Sequence, residues 1–292
     1  MPSKHRPATA SRLIRLAIVT AFVLMVAACA ADEGGAVSSA QHAPPTREAS
    51  PVYIPKVGQD GKDVMWVPTH SALVEKMLDM ADVSPGERLV DLGSGDGITV
   101  IMAARRGADA LGIEFNPDLV AVSRRNAEAA GVAERARFVE GDIFKSDFSD
   151  ANVVTLFLLP ELNLKLRPAL LAMKPGTRVV SNTFDMGDWL PDQSVHGSED
   201  CAADSHYCIA YLWVVPTKVA GLWALDGRHL RLQQDFQLLQ GHLGDQPISA
   251  ARVDGRQISF TLGQRQYVGD IDGDEISGLV DGRVAWQARR LR

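Results

Sequence analysis

From residue 66 to about residue 216, short continuous apolar runs alternate with stretches whose apolar positions recur at helical spacing. That alternation predicts strand-helix units in a mainly parallel sheet. Residues 88–92, 110–115, 136–140, 152–159, 177–184 and 208–215 read as buried strands, and 96–106 and 162–173 as helices, the second closed by Lys174-Pro175-Gly176. Thr69 is placed to cap a further helix that carries Leu73, Val74, Met77 and Leu78 on one face. Past residue 219 the period changes to two: Ile258, Phe260 and Leu262 alternate with polar residues, as do Val284, Trp286 and Ala288. Asp-Gly pairs at 226, 254, 272 and 281, each between apolar segments, predict hairpins. The expected organisation is a doubly wound α/β domain over residues 51–216, followed by a small antiparallel all-β sandwich or barrel over 217–292.

The first 50 residues do not fit either pattern. Lys4, Arg6, Arg12 and Arg15 precede an apolar run over 16–28 with no acid among them, as in a secretory signal. The run is short of the roughly 20 apolar residues that a bilayer crossing needs. Its end, Val26-Ala27-Ala28-Cys29, resembles the lipobox of bacterial lipoproteins, so residues 1–28 are expected to be a lipoprotein-type signal peptide and Cys29 the lipidated mature end. Cleavage after an alanine with Cys29 incidental is the alternative. Residues 29–50, rich in Ala, Gly, Ser and Pro, suit a flexible tether. The expected location is the bacterial cell envelope, lipid-anchored and facing the periplasm or exterior.

A formal net charge of -6 argues against a nucleic-acid partner, because phosphate binding needs clustered Lys and Arg. The 46% hydrophobic content is enough for a real core.

Candidate chemistry gathers at strand ends. The first strand runs into Asp91-Leu92-Gly93-Ser94-Gly95-Asp96-Gly97, where glycines allow a sharp turn and close approach of a ligand. A nicotinamide loop would place a third glycine at the position held by Ile98. The second strand ends in Glu114, followed by Asn116-Pro117 as a helix cap and first turn. A carboxylate there can accept from two ribose hydroxyls. The third ends in Gly141-Asp142-Ile143, where Asp142 can accept from an adenine amino group and Ile143 can pack on the ring. Three strand ends in register converge on one crevice. Each acid taken singly is also readable as a solvated loop carboxylate.

The Asp-x-Gly-x-Gly-x-Gly arrangement resembles motif I of class I methyltransferases. Further stretches resemble one branch, the protein-lysine methyltransferases related to the ATP synthase c-subunit lysine methyltransferase: Trp66-Val67-Pro68-Thr69, residues 90–97, Gly112-Ile113-Glu114-Phe115-Asn116-Pro117, Leu156-Phe157-Leu158-Leu159-Pro160-Glu161 and Val179-Val180-Ser181-Asn182-Thr183-Phe184. The resemblance covers roughly residues 66–189. It implies a class I methyltransferase sheet, S-adenosylmethionine as cofactor, and transfer of a methyl group to a protein lysine or another amine, with another small or macromolecular nucleophile as the alternative acceptor. It implies cofactor-binding roles for Asp91, Gly93, Ser94, Gly95, Asp96, Gly97, Glu114, Asn116, Asp142 and Ile143, and substrate-side roles for Thr69, Pro160, Glu161 and Asn182. Glu161 can also act only on the helix dipole, and Thr69 only as a cap. A rival from another class is an envelope binding protein that keeps the fold without turnover.

The chain between residues 189 and 207 is polar and lies outside the resemblance; Cys201 falls within it and Cys208 just after it, separated by six residues. Export favours a disulfide between them. Free thiols, or a metal site with His196 and His206, are the alternatives, although the spacing matches no zinc pattern.

Overall fold

A computed structural model describes residues 53–62, 65–197, 199, 201 and 207–291. The expected signal peptide, Cys29 and the tether lie outside the described residues, as does His206.

Five parallel strands form the centre of the first sheet: β1 (Arg88–Leu92), β2 (Asp109–Glu114), β3 (Ala136–Glu140), β4 (Val153–Leu156) and β5 (Arg178–Asn182). Two more, β6 (Gln193–His196) and β7 (Ile209–Val214), complete the order β3-β2-β1-β4-β5-β7-β6, with β7 antiparallel to both β5 and β6. Helices α1 (Ser71–Met80), α2 (Ile98–Arg105) and α3 (Pro117–Ala129) cover one face, where Leu73, Val74, Met77 and Leu78 of α1 are buried in one cluster with Val100 and Ile101 of α2. Helix α4 (Pro160–Leu171) covers the other, burying Leu166 and Leu170 beside Val90, Leu92 and Val154. The central position of β1 and β4, covered on both faces, accounts for their nearly continuous burial, which takes in Asp91 and Thr155. Each such Leu or Val contributes about 1.5–3 kcal/mol by leaving water.

Three local expectations shift. The cap of α1 is His70, whose Nδ1 accepts from Ala72 N at 3.2 Å, not Thr69. Strand β4 stops at Leu156 rather than continuing to residue 159, because Leu159 precedes a proline and is held extended while Pro160 opens α4 as its first residue. Strand β6 carries no apolar run that would announce it; its exposed polar residues sit at the sheet edge.

Beyond Val214 the chain forms an antiparallel meander of β8 (Gly221–Leu225), β9 (Arg228–Asp235), β10 (Leu238–Leu243), the short β11 (Gln246–Pro247), β12 (Ser249–Asp254), β13 (Gln257–Leu262), β14 (Arg265–Asp272), β15 (Glu275–Val280) and β16 (Val284–Leu291). Pairing of β16 with β8, and of β10 with both β9 and β12, closes it into an eight-stranded barrel with β11 as an appendage. Closure removes the open edges that a sandwich would leave. The period-two apolar residues point inward, and Phe260, Tyr267 and Trp286 stack at its centre with ring centroids 4.7–5.8 Å apart. Trp286 fits because Gly269 has no Cβ, which would lie 2.6 Å from Trp286 Cζ2. All four Asp-Gly pairs sit at hairpins. Asp226-Gly227 and Asp281-Gly282 both have positive φ at their two turn residues, as a type I′ turn requires.

The barrel is joined to the first sheet by Arg252 Nη2 donating to Asp192 Oδ1 at 2.6 Å, Gln237 Nε2 donating to Leu190 O at 2.7 Å, and Trp189 stacked 6.0 Å from Phe236.

Candidate active site

A cavity of about 480 Å³ opens over the carboxyl ends of β1, β2, β3 and β4, within the range usual for small-ligand sites. Its floor is the turn from β1 into α2. Asp91, the penultimate residue of β1, is buried, and Thr155 Oγ1 on β4 donates to its Oδ1 at 2.7 Å. Burial pushes the Asp91 carboxyl up to about 7; the Thr155 hydrogen bond opposes that rise, and the charges of Glu114 and Asp96 reinforce it. Burial also raises Asp96, whose Oδ1 accepts from Ile98 N at 3.3 Å in the first turn of α2.

Glu114 is fixed by backbone. Its Oε2 accepts from Gly95 N and its Oε1 from Asn116 N, both at 2.9 Å, so one carboxylate ties the glycine turn to the end of β2. Asn116 turns away to cap α3, its Oδ1 accepting from Asp118 N. Asp142 Oδ1 accepts from Phe144 N, and Oδ2 forms an ion pair with Lys62 Nζ at 2.9 Å. The Lys62 ammonium holds the Asp142 carboxyl below its ordinary range.

A segment before α1 forms the roof. Gly58 N–H donates to Trp66 O and Trp66 N–H to Gln59 O, making a narrow loop that carries Lys62 and Trp66 over the turn. The Trp66 indole lies so close to Gly95 that a Cβ there would sit 2.6 Å from Nε1, in a backbone with φ +55°. Only glycine satisfies both constraints at this position.

Of the residues singled out from sequence, the cavity lining gathers Asp91, Gly93, Ser94, Gly95, Asp96, Glu114, Asp142, Ile143 and Thr69. Gly97 and Asn116 lie just behind it as the caps of α2 and α3. The Ser94 hydroxyl is buried without a hydrogen-bond partner among the described residues. Pro160 and Glu161 form the first turn of α4 outside the lining, and Glu161 is exposed. Asn182 is buried behind the wall, where its Nδ2 donates to Thr69 Oγ1 at 3.3 Å and its Oδ1 accepts from Thr183 Oγ1 at 2.8 Å. Thr183 holds the left-handed conformation at φ +63°, costly for a β-branched residue, and so turns the chain sharply from β5 into Phe184.

The end of the cavity away from the acids is aromatic. Phe157, Phe184 and Tyr207 all line it, with ring centroids 6.1, 5.4 and 6.0 Å apart in the three pairings. The sequence does not announce this trio, since Phe157 and Phe184 follow β4 and β5 whereas Tyr207 precedes β7. Trp66 over Gly95 and Lys62 on Asp142 were equally invisible. The residues present fit S-adenosylmethionine: a carboxylate oriented by two amides, a second at the neighbouring strand end, a buried acid in the glycine turn, and an apolar exit.

Comparison with known proteins agrees. A family model described as the ANTKMT methyltransferase domain matches residues 91–193. A protein-lysine N-methyltransferase of Saccharolobus islandicus (strain REY15A) is 42% identical over 135 residues, which cover 45% of this chain and 84% of that one. The ATP synthase c-subunit lysine N-methyltransferase of Mus musculus is 39% identical over 130 residues, and the chain spans about half of its length, 52%. Among solved structures, an RNA methyltransferase from Salinibacter ruber in complex with S-adenosyl-L-homocysteine is 49% identical; the match covers 52% of this chain and 96% of that one with a TM-score of 0.48.

Proposed function

The chain belongs to the family of class I S-adenosylmethionine-dependent methyltransferases that includes the protein-lysine N-methyltransferases, and from that premise we propose that it methylates a lysine side chain of a protein. The observation that carries this reading is the aromatic wall of Phe157, Phe184 and Tyr207 at one end of a cavity whose other end holds the acids.

The cofactor supplies an electrophilic methyl group on a sulfonium. Glu114 would hold the ribose hydroxyls, Asp142 and Ile143 the adenine, and the turn from Asp91 to Gly97 the amino-acid end. The aromatic wall acts on the acceptor. Apolar rings accommodate the lysine stem, and their faces attract its ammonium through cation–π contact. That attraction favours the charged form while burial of the stem opposes it, so the wall recruits and orients the lysine, and the amine that attacks is the fraction that has lost its proton to solvent from an ordinary pKa near 10.4. Desolvation and alignment then supply much of the acceleration. Thr69 and Asn182 shape the wall: the buried amide of Asn182 holds Thr69 at the rim. Glu161, exposed on the first turn of α4 and outside the cavity lining, serves the helix dipole. Acetylating the amines of a bacterial envelope extract before adding enzyme and labelled cofactor should abolish most label incorporation; unchanged incorporation would contradict an amine acceptor.

We also propose export and lipid attachment at Cys29. The charged, apolar and Val26-Ala27-Ala28-Cys29 sequence supports it, as does a Cys201–Cys208 disulfide of the kind that persists in oxidising compartments. Mass spectrometry of the mature protein should find an acylated Cys29 as its first residue; an intact Met1, or another start without acyl mass, would refute this.

A further inference from the structure

The family match ends at residue 193, yet the aromatic wall includes Tyr207. Tyr207 precedes β7 by two residues and lies outside the ladder that holds Ile209 opposite His196 and Ala210 opposite Asn182. Its chain neighbour is Cys208, bonded to Cys201. That disulfide is buried in the same cluster as Leu73, Leu78 and Ala210. It is also seated against Gly197, where a Cβ would fall 2.0 Å from Cys208 Sγ, and Gly197 N–H donates to Cys208 O at 2.8 Å. On the other side Thr183 N–H donates to Ile209 O at 2.7 Å, next to Phe184. The backbone carrying Tyr207 is thus fixed by a covalent bond immediately after it, on a floor shaped to receive that bond.

We infer that the Cys201–Cys208 disulfide is a positioning device for the acceptor site, pinning the backbone beside Tyr207 so that its ring stands as the third face of the wall with Phe157 and Phe184. A disulfide removes conformational freedom from the chain that it closes. Here that restriction is placed one residue from a ring that must meet two others, both carried on different strand ends. The inference rests on the amine-acceptor reading for what the wall binds, but not for how the wall is built.

The test uses full-length protein with fluorine-labelled tyrosine, which gives four resonances, one of them identified as Tyr207 by its loss in Tyr207→Phe. In C201S/C208S the Tyr207 resonance should move to its solvent position. S-adenosylhomocysteine affinity should stay within about twofold, and the affinity for tetramethylammonium, used as a cation probe with that ligand saturating, should fall about fivefold. Tyr207→Leu, which leaves the bond intact, should give the same loss of probe binding; should the double variant not fold, reducing the bond in the folded wild-type protein with a phosphine should move the Tyr207 resonance in the same way, and an unmoved resonance would overturn the inference. An unmoved Tyr207 resonance in the double variant would overturn the inference, as would a parallel loss of S-adenosylhomocysteine binding, which would mark a general support of the fold. Unaltered probe binding in Tyr207→Leu would also overturn it. A resonance that moves while the wild type fails to bind tetramethylammonium would uphold the clamp and sink the amine reading instead.

Discussion

Replacing Glu114 by Ala should weaken S-adenosylhomocysteine binding about 10- to 100-fold while leaving the protein folded. Two effects add. The variant removes the carboxylate that would accept from the ribose hydroxyls, and it releases the amides of Gly95 and Asn116, which now share that carboxylate at 2.9 Å each. Losing hydrogen bonds to a charged acceptor, with donors left unpaired, costs about 1.5–3 kcal/mol, and that is the source of the fold-change. Glu114→Gln should fall between, because its amide oxygen can still accept while its NH₂ opposes a donor. Titration calorimetry of the two variants, alongside thermal melts, reads both quantities. A folded Glu114→Ala protein with affinity within about twofold of wild type would remove Glu114 from the cofactor site.

Asp91→Asn should change how stability depends on pH. The folded Asp91 carboxyl titrates at about 7 against an unfolded value near 3.8, so between those limits the folded state retains a proton that the unfolded state has lost. Stability from this group is therefore greatest below pH 4, falls as pH rises through the window, and is level above about 7. The difference amounts to about 4 kcal/mol if the whole shift is expressed. Asn carries no charge to desolvate, so urea unfolding of the variant should lack this decline, and the gap between variant and wild type should widen from pH 5 to pH 7.5. A cation arriving beside Asp91 favours its ionised form, so binding of the cofactor's amino-acid end should release a proton near pH 6 in wild type and none in the variant. A wild-type curve parallel to that of the variant would show that Asp91 is already ionised before cofactor is added.

Those two acids were legible in the sequence because each stands at or next to the end of a short strand-like segment, and a strand end in a parallel sheet is where ligands sit. The glycine turn was legible for the same reason. The Asp-Gly pairs marked the barrel hairpins because only certain residues accept their positive φ. Closure of the barrel was not legible, since it depends on β16 meeting β8 and on a single bridge between Leu238 and Arg252. Nor was β6, whose polar edge residues obey no burial pattern. At the site, Phe157 and Phe184 stood in stretches already singled out, but their meeting with Tyr207 required the chain to return through β6 and β7. Asn182 stood out among the same residues, yet its buried amide reaches the cavity only through Thr69, a geometry with no counterpart in spacing.

The chemical identity of the methylated product tests the central claim most directly. Wild-type protein is incubated with an envelope extract and cofactor labelled in the methyl group, and the labelled proteins are digested completely to amino acids. The account predicts that the label elutes as methylated lysine. Label confined to carboxyl esters, lipids or small thiols, with none in methyl-lysine, would contradict the lysine assignment and leave the aromatic wall without the acceptor proposed for it.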